Sequence, residues 1–368
     1  MKTYKHLYPQ IASFENLYLA FKAARRGKRS RPDVAGFEYN LEENLLALQS
    51  QLQNETYTPG RYHNFPVYDP KPRLISAAPF RHRVVHHALC RVIEPLFDRR
   101  FIFDTYACRV GKGTHAAIDR AQGFSKKYPY VLKCDIEHFF PHMDHQVLYD
   151  QFRRVLADTR TLRLCKLILD SGSGIHAGVP PAYLPGDDPS AGSGQRLFSI
   201  LRPRGLPIGN LTSQFWANVY LNPLDHFIKR ELKCPGYVRY VDDFLLFAEN
   251  KNSLHEWRLE VMRFLASLRL TLHEAEAQIF PTQTGIPFLG WRVYPGHLRL
   301  KRRNAVAFQR RYVKLRQGLA QGKITFERLN AGVQGWIAHV SHGQTWGLRR
   351  SLLTRVTISS HRHCEGKA

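Results

Sequence analysis

The stretch Gly236-Tyr-Val-Arg-Tyr-Val-Asp-Asp-Phe-Leu-Leu-Phe-Ala248 sets two adjacent acids, Asp242 and Asp243, between apolar, β-favouring runs. Such a pattern predicts a β-hairpin with the two carboxylates at its turn. A two-residue hairpin turn ordinarily carries Asn-Gly or Asp-Gly, because its central residues need positive φ. Two like charges side by side repel unless a cation lies between them, so a divalent-metal site is the economical reading.

A third acid fits that reading. Tyr130-Val-Leu-Lys-Cys-Asp135-Ile-Glu-His-Phe-Phe140-Pro is a short apolar strand ending in Asp135, placed to share metals with a neighbouring hairpin. Three carboxylates of this kind can hold two Mg²⁺ ions about 4 Å apart, with Mn²⁺ as a substitute, to activate a 3′-hydroxyl and stabilise a leaving pyrophosphate. Asp135, Asp242 and Asp243 are therefore the expected catalytic residues.

The 368-residue chain is 43% hydrophobic and carries a formal net charge of +24. This composition excludes disordered, collagenous and disulfide-scaffold classes, and the charge calls for a polyanionic partner. No apolar run reaches the ~20 residues of a bilayer span, and the start Met1-Lys-Thr-Tyr-Lys-His lacks the apolar core of a signal peptide. The expectation is a cytoplasmic protein without membrane contact. The six cysteines form no Cys-x-x-Cys pair. His82 and His86 are spaced like metal ligands but flanked by Arg81 and Arg83, and His273-Glu274 lacks the second histidine of a zincin helix.

Apolar periodicity predicts helices over Phe14–Phe21, Asn40–Gln53 and Phe80–Phe97, with a basic loop from Lys22 to Arg31. Two short strands around a Pro-rich turn are expected in Phe65–Ser76. Residues 171–205, rich in Gly, Ser and Pro, read as a long loop. From Ala277 to Phe326 there is no acid while bases recur. There Phe308, Tyr312, Leu315 and Leu319 form an apolar helical stripe, with Arg310, Arg311 and Lys314 off it. Such a helix suits a phosphate backbone.

Tyr240-Val-Asp-Asp243 resembles the Tyr-x-Asp-Asp box of reverse transcriptases, and other motifs follow in the family's order. Lys71-Pro-Arg73 with Arg81 and Arg83 resembles the fingers motifs, and Asp135–Phe140 the first palm motif. Gly205-Leu-Pro-Ile-Gly-Asn-Leu-Thr-Ser-Gln214 resembles the second, and Phe288-Leu-Gly-Trp291 the primer-grip hairpin. The resemblance implies an α+β right-hand polymerase fold. Residues 1–128 would form an N-terminal extension and fingers. Residues 129–295 would form a palm with an antiparallel sheet and helices on one face, carrying the 171–205 insertion. Residues 296–368 would form a helical thumb and tail.

The resemblance further implies a metal set of Asp135, Ile136, Asp242 and Asp243. Nucleotide contacts would come from Lys71, Arg73, Phe140 as a steric gate, Ile208, Gly209 and Gln214. Nucleic-acid contacts would come from Arg83, Arg109, Tyr240, Lys301, Arg302, Arg303, Arg310, Arg311 and Lys314. Substrates would be dNTPs, a template RNA and the RNA/cDNA duplex.

Ile208-Gly209 with Ser213-Gln214 is similar to reverse transcriptases of diversity-generating retroelements, whose relatives elsewhere carry Gln-Gly there. Phe14-Glu-Asn-Leu17, Gly27-Lys-Arg29, Tyr106-Ala-Cys-Arg109 and Gly111-Lys-Gly-Thr114 are similar to the same branch. That branch implies error-prone copying at template adenines and a basic, pentameric accessory protein. An antiphage-defence reverse transcriptase is the alternative; a catalytically idle RNA-binding module and a two-metal nuclease are more remote. One departure stands out: Ala275 and Glu276 occupy positions where relatives place the lysine that protonates pyrophosphate, with His273 as a possible substitute.

Overall fold

The computed structural model describes residues 2–68, 73–176, 178–179 and 202–354. Lys71, most of the 171–205 insertion and the tail after residue 354 lie outside the described residues.

The amino-terminal third is helical: α1 (Tyr8–Ile11), α2 (Phe14–Ala24), α3 (Pro32–Tyr39), α4 (Leu41–Gln53) and, after a hairpin, α5 (Phe80–Asp98). Ser13 caps α2 by accepting the Asn16 amide. The short α3 was not anticipated, because only Val34 and Phe37 of it are buried and it has almost no periodic stripe; Pro32 at its start supplies the helical φ. The hairpin is β1 (His63–Val67) paired antiparallel with β2 (Arg73–Ala77).

Then follow α6 (Thr114–Lys127), β3 (Tyr130–Cys134), α7 (Phe139–His142), α8 (His145–Arg153), α9 (Thr159–Ser171), α10 (Leu211–Arg230), β4 (Gly236–Tyr240), β5 (Asp243–Ala248) and α11 (Lys251–Ser267). The chain continues through β6 (Gln278–Pro281), β7 (Ile286–Phe288), β8 (Trp291–Val293) and β9 (Leu298–Leu300). It ends in α12 (Arg302–Ala320), α13 (Phe326–Val340) and α14 (Trp346–Thr354).

The central sheet has the order β4-β5-β3-β6 and is antiparallel throughout. Its strands are mostly apolar because both faces are covered, with Lys133 and Arg239 as the charged exceptions in β3 and β4. Leu132, Cys134, Phe244 and Leu246 enter a core shared with Phe215, Trp216, Tyr220 and Leu224 of α10. Val131, Val238, Leu245 and Phe247 face the other way, against Ile118 and Phe124 of α6 and Phe288 and Trp291 of the β7-β8-β9 sheet. Helices thus lie on both faces, a correction to the expectation of helices on one. A third cluster holds α12 to α13, where the Phe308 and Trp336 rings stack 3.8 Å apart.

Phe152 is fully buried between Phe97 and Trp216, with ring centroids 6.1 and 5.3 Å away. Phe152→Ala should cost about 3–5 kcal/mol, because the rigid aromatic surround cannot collapse into the void. Urea denaturation checks this; a loss below about 1 kcal/mol would contradict the packing described.

Candidate active site

The β4–β5 hairpin pairs Tyr240 with Asp243, leaving Val241 and Asp242 as a two-residue turn. Val241 has φ 58°. A β-branched residue rarely occupies this left-handed region, and doing so costs roughly 1–3 kcal/mol, so the turn is strained where an Asn-Gly turn would not be. In the β3–β5 ladder Cys134 pairs with Phe244. One step further in that antiparallel register brings Asp135 level with Asp243. The strand-end acid and the turn acids therefore meet at one corner of the sheet.

Their electrostatics agree with that placement. Burial first, and then the charge of Asp135, pushes the Asp242 carboxyl up to about 6, against a pull from Arg73 and Arg239. Burial pushes Asp243 up to about 7; Asp135 and Asp242 add to the rise while Lys133 and Lys301 oppose it. The Asp243 Oδ1 atom is buried without a hydrogen-bond donor. Its neighbour is the Lys133 ammonium, 3.7 Å away, which also lies 3.5 Å from a Glu276 carboxylate oxygen. Burial disfavours the charge on Lys133, yet Asp243, Asp135 and Glu276 together hold it above the ordinary lysine value.

These oxygens fit a hard divalent cation: they are carboxylates only, they are crowded, and Asp243 Oδ1 lacks a donor. Ile136 is buried and apolar, so it could offer a metal only its carbonyl. Among the described residues no three His, Cys, Asp or Glu side chains form a ready-made cation cluster. The three carboxylates would have to converge to share an ion.

The segment 205–214 abuts β2. The Ser76 amide donates to the Ile208 carbonyl (2.9 Å), and a Cβ on Gly209 (φ 110°) would come 2.8 Å from Ile75. Asn210, for which the sequence suggested no role, clamps this contact: its Nδ2 donates to the Ser76 carbonyl (2.7 Å) and its Oδ1 accepts the Ala78 amide (3.1 Å). Phe139 is buried against Tyr220, whereas Phe140 is only partly buried. The Phe140 carbonyl accepts the Leu206 amide (2.9 Å), tying it to the same segment. Exposed Gln214 receives the Cys108 thiol at 3.7 Å. Arg73 is exposed and near enough to act on Asp242.

The basic residues divide. Lys301, at the start of α12, is half-buried and within electrostatic reach of Asp243. Arg302, Arg303, Arg310, Arg311 and Lys314 are exposed, while Phe308 and Tyr312 bury the opposite stripe. Tyr240 lies partly buried, with its hydroxyl oxygen accepting from Thr114 (3.2 Å). Arg83 sends Nε to the Ala78 carbonyl (2.7 Å).

Arg109 is a correction. Its side chain is only 10% exposed, with Nε on Asp98 (2.6 Å) and Nη1 on the Ile102 and Thr105 carbonyls (2.7 and 3.1 Å). It staples its own loop instead of facing nucleic acid, because its neighbours offer enough acceptors to use up the guanidinium. His273 meets the site through its backbone, donating its amide to the Asp135 carbonyl (2.8 Å). Lys133 was overlooked, although strand alternation two residues before Asp135 could have placed it on the same face.

The profile of the family described as "Reverse transcriptase (RNA-dependent DNA polymerase)" matches residues 66–293. Protein YkfC of Escherichia coli is 23% identical over 307 residues, 71% of this chain and 75% of YkfC. Nuclear intron maturase 1, mitochondrial, of Arabidopsis thaliana is 29% identical over 85 residues, 23% of this chain and 12% of the maturase. An uncharacterized 91 kDa protein in the cob intron of Schizosaccharomyces pombe is 23% identical over 189 residues, 51% of this chain and 21% of that protein. The chain thus spans most of YkfC but only a small part of the other two.

A carboxyl whose folded-state pKa lies above its unfolded value weakens the fold progressively as pH rises between the two. For Asp243 that window runs from the ordinary 3.8 to about 7. In EDTA at pH 8, Asp243→Asn should therefore stabilise the protein by on the order of 2 kcal/mol, and the gain should vanish at pH 4. Thermal melts at the two pH values check this; an equal effect at both would remove the buried-charge account.

Proposed function

The chain belongs to the family of reverse transcriptases, RNA-dependent DNA polymerases, and from that membership we propose that Asp135, Asp242 and Asp243 form its nucleotidyl-transfer site. The family's substrates are a template nucleic acid and dNTPs. The observation that carries the site assignment is the β3–β5 register, which sets Asp135 level with Asp243 beside a buried carboxylate oxygen that lacks a donor.

On this reading residues 1–128 supply fingers, 129–295 a palm and 296–368 a thumb. Bound Mg²⁺ or Mn²⁺ would lower the pKa of a primer 3′-hydroxyl and neutralise charge on the transferring phosphate. The chain's own groups do the rest. Asp135, Asp242 and Asp243 supply the oxygens. Arg73, beside Lys71 in sequence, reaches the same corner and suits a triphosphate. Phe140, partly buried and five residues after Asp135, would lie under the sugar and clash with a 2′-hydroxyl. The exposed cations of α12 track the duplex backbone, which makes binding fall steeply with salt. Lys133 stands where an ammonium is wanted, given Ala275 and Glu276 in the neighbouring segment.

The diversity-generating type, with copying errors at template adenines and a basic accessory protein, is the finer proposal. Support comes from Ile208-Gly209 and Ser213-Gln214, in a segment that abuts the fingers hairpin through Ser76 and Ile75. An apolar side chain at 208 cannot hydrogen-bond a nucleotide sugar. The antiphage-defence alternative shares every residue of the site and differs in its RNA and genomic surroundings.

Purified protein with a primed RNA template, dNTPs and Mg²⁺ should extend the primer, and the Asp242→Asn, Asp243→Asn variant should not. Equal product from the two would end the polymerase assignment. Ile208→Gln should lower misincorporation opposite template adenine several-fold, in keeping with about 1 kcal/mol for one discriminating hydrogen bond. Sequenced cDNA libraries measure this, and an unchanged error frequency would refute the role of Ile208.

A further inference from the structure

The carboxylate turn rests on a buried polar assembly that no residue of the site itself supplies. Arg239, two residues before Val241, is fully buried, as is Asp225 of α10. Their pairing is a two-bond fork: Nε to Oδ1 at 2.7 Å and Nη2 to Oδ2 at 2.6 Å. The Tyr237 hydroxyl donates to the same Oδ1 (2.8 Å). The remaining arm, Nη1, donates to the Val241 carbonyl at 3.0 Å and to Asn218 Oδ1 at 3.2 Å. Asn218 in turn sends Nδ2 to the Ala107 carbonyl (2.8 Å).

The side chain lies on the α10 side of the sheet. Tyr237, two residues earlier on β4, enters the core shared with α10, while Val238 and Tyr240 face the opposite cluster. Arg239 therefore supports the turn from behind and stays off the face where the acids meet. Its backbone is held as well: its amide donates to the Asp104 carbonyl, its carbonyl accepts the Tyr106 amide (both 3.0 Å), and it pairs with Phe244 across the hairpin.

A fully buried ion pair is poor evidence for stability, since well-packed apolar replacements of similar volume are often neutral. What apolar groups cannot do is hold one carbonyl in place. The carbonyl held here belongs to Val241, the β-branched residue at φ 58°. Left-handed backbone at such a residue persists only where the surroundings over-determine it. We propose that the Arg239–Asp225 pair, braced by Tyr237 and Asn218, is a positioning device that fixes the strained Val241 peptide and so sets where Asp242 and Asp243 present their oxygens.

This rests on the polymerase reading for its effect on catalysis and on geometry alone for its effect on the turn. The test replaces the polar assembly with apolar groups of like size in the full-length protein: Asp225→Leu with Tyr237→Phe and Arg239→Met. Melting temperature, kcat and dNTP KM in primer extension, Mn²⁺ affinity by electron paramagnetic resonance, and amide hydrogen exchange across residues 240–244 are measured together. The expected result is a melting temperature close to the parent's and a kcat at least about ten-fold lower with dNTP KM within about two-fold, because only a transition-state contact is misplaced. Mn²⁺ binding should weaken and exchange at the turn should quicken.

A triple variant that folds with parental kcat and parental turn exchange overturns the proposal. If the triple variant does not fold, Asn218→Ala decides, since it leaves the ion pair intact and removes one brace. Faster turn exchange with a kcat reduced about three-fold supports the device, and parental values for both overturn it. Should the parent protein make no product, the polymerase reading fails; the exchange measurement still judges the turn.

Discussion

The antiparallel register of β3 against β5 is the constraint on which the rest of the molecule depends. Side chains alternate along a strand, so a slip of one residue would carry Asp135 from the corner it shares with Asp243 to the face packed on α10. Both faces of the sheet resist such a slip. Leu132 and Cys134 fit among α10 residues, Val131 packs with α6 neighbours, and neither set can exchange places without burying Lys133 and Asp135 in hydrocarbon. On the far side, the Glu137 amide donates to the Thr271 carbonyl and the His273 amide to the Asp135 carbonyl, which locks the strand end from its other edge.

That locked corner has an energetic consequence. Crowded, half-desolvated carboxylates oppose folding when ionised, and a left-handed Val241 adds strain at the same turn. The structure concentrates these unfavourable terms at one place and surrounds them with groups that cannot relax: a fully packed sheet, a buried ion pair and the Asn210 clamp on the adjoining segment. Other buried acids have close guanidinium partners, as in Asp225 with Arg239, Asp104 with Arg120 and Asp144 with Arg269. Carboxylates crowded against one another are therefore a cost concentrated at the site, as expected where function and stability compete.

Much of this was legible in the primary structure because it is local. Apolar runs with a double acid between them gave the hairpin, the end of a five-residue strand placed Asp135, and a stripe of Phe308, Tyr312, Leu315 and Leu319 announced the buried side of α12. Motif order extended that local reading to the family. What escaped depends on partners far along the chain. Asp225 and Arg239 are separated by a helix end and a strand start, and nothing in either segment says that they meet. Asn210 looked like one residue of a motif, yet its three bonds join it to Ser76, Ala78 and Pro207. The resemblance implies a nucleic-acid contact for Arg109; the loop instead folds back and satisfies the guanidinium with Asp98 and the Ile102 and Thr105 carbonyls. Lys133 was legible in principle, since alternation places it beside Asp135, but a lone lysine in an apolar strand drew no attention.

The distribution of charge joins these observations. Positive groups approach the acidic corner from three sides: Arg73 from the β1–β2 hairpin, Lys133 from within the sheet and Lys301 from the start of α12. Beyond Lys301 the helix continues with exposed arginines and lysine on an acid-free segment. A polyanion drawn in by the surface field would thus meet cations on its approach to the acidic corner. On the proposed reading the cations would hold a phosphate chain while its reacting end came to the carboxylates, where a divalent cation is the one species that both partners attract. The placement of bases around a small acidic centre, more than the total of +24, is what suits this chain to phosphate chemistry.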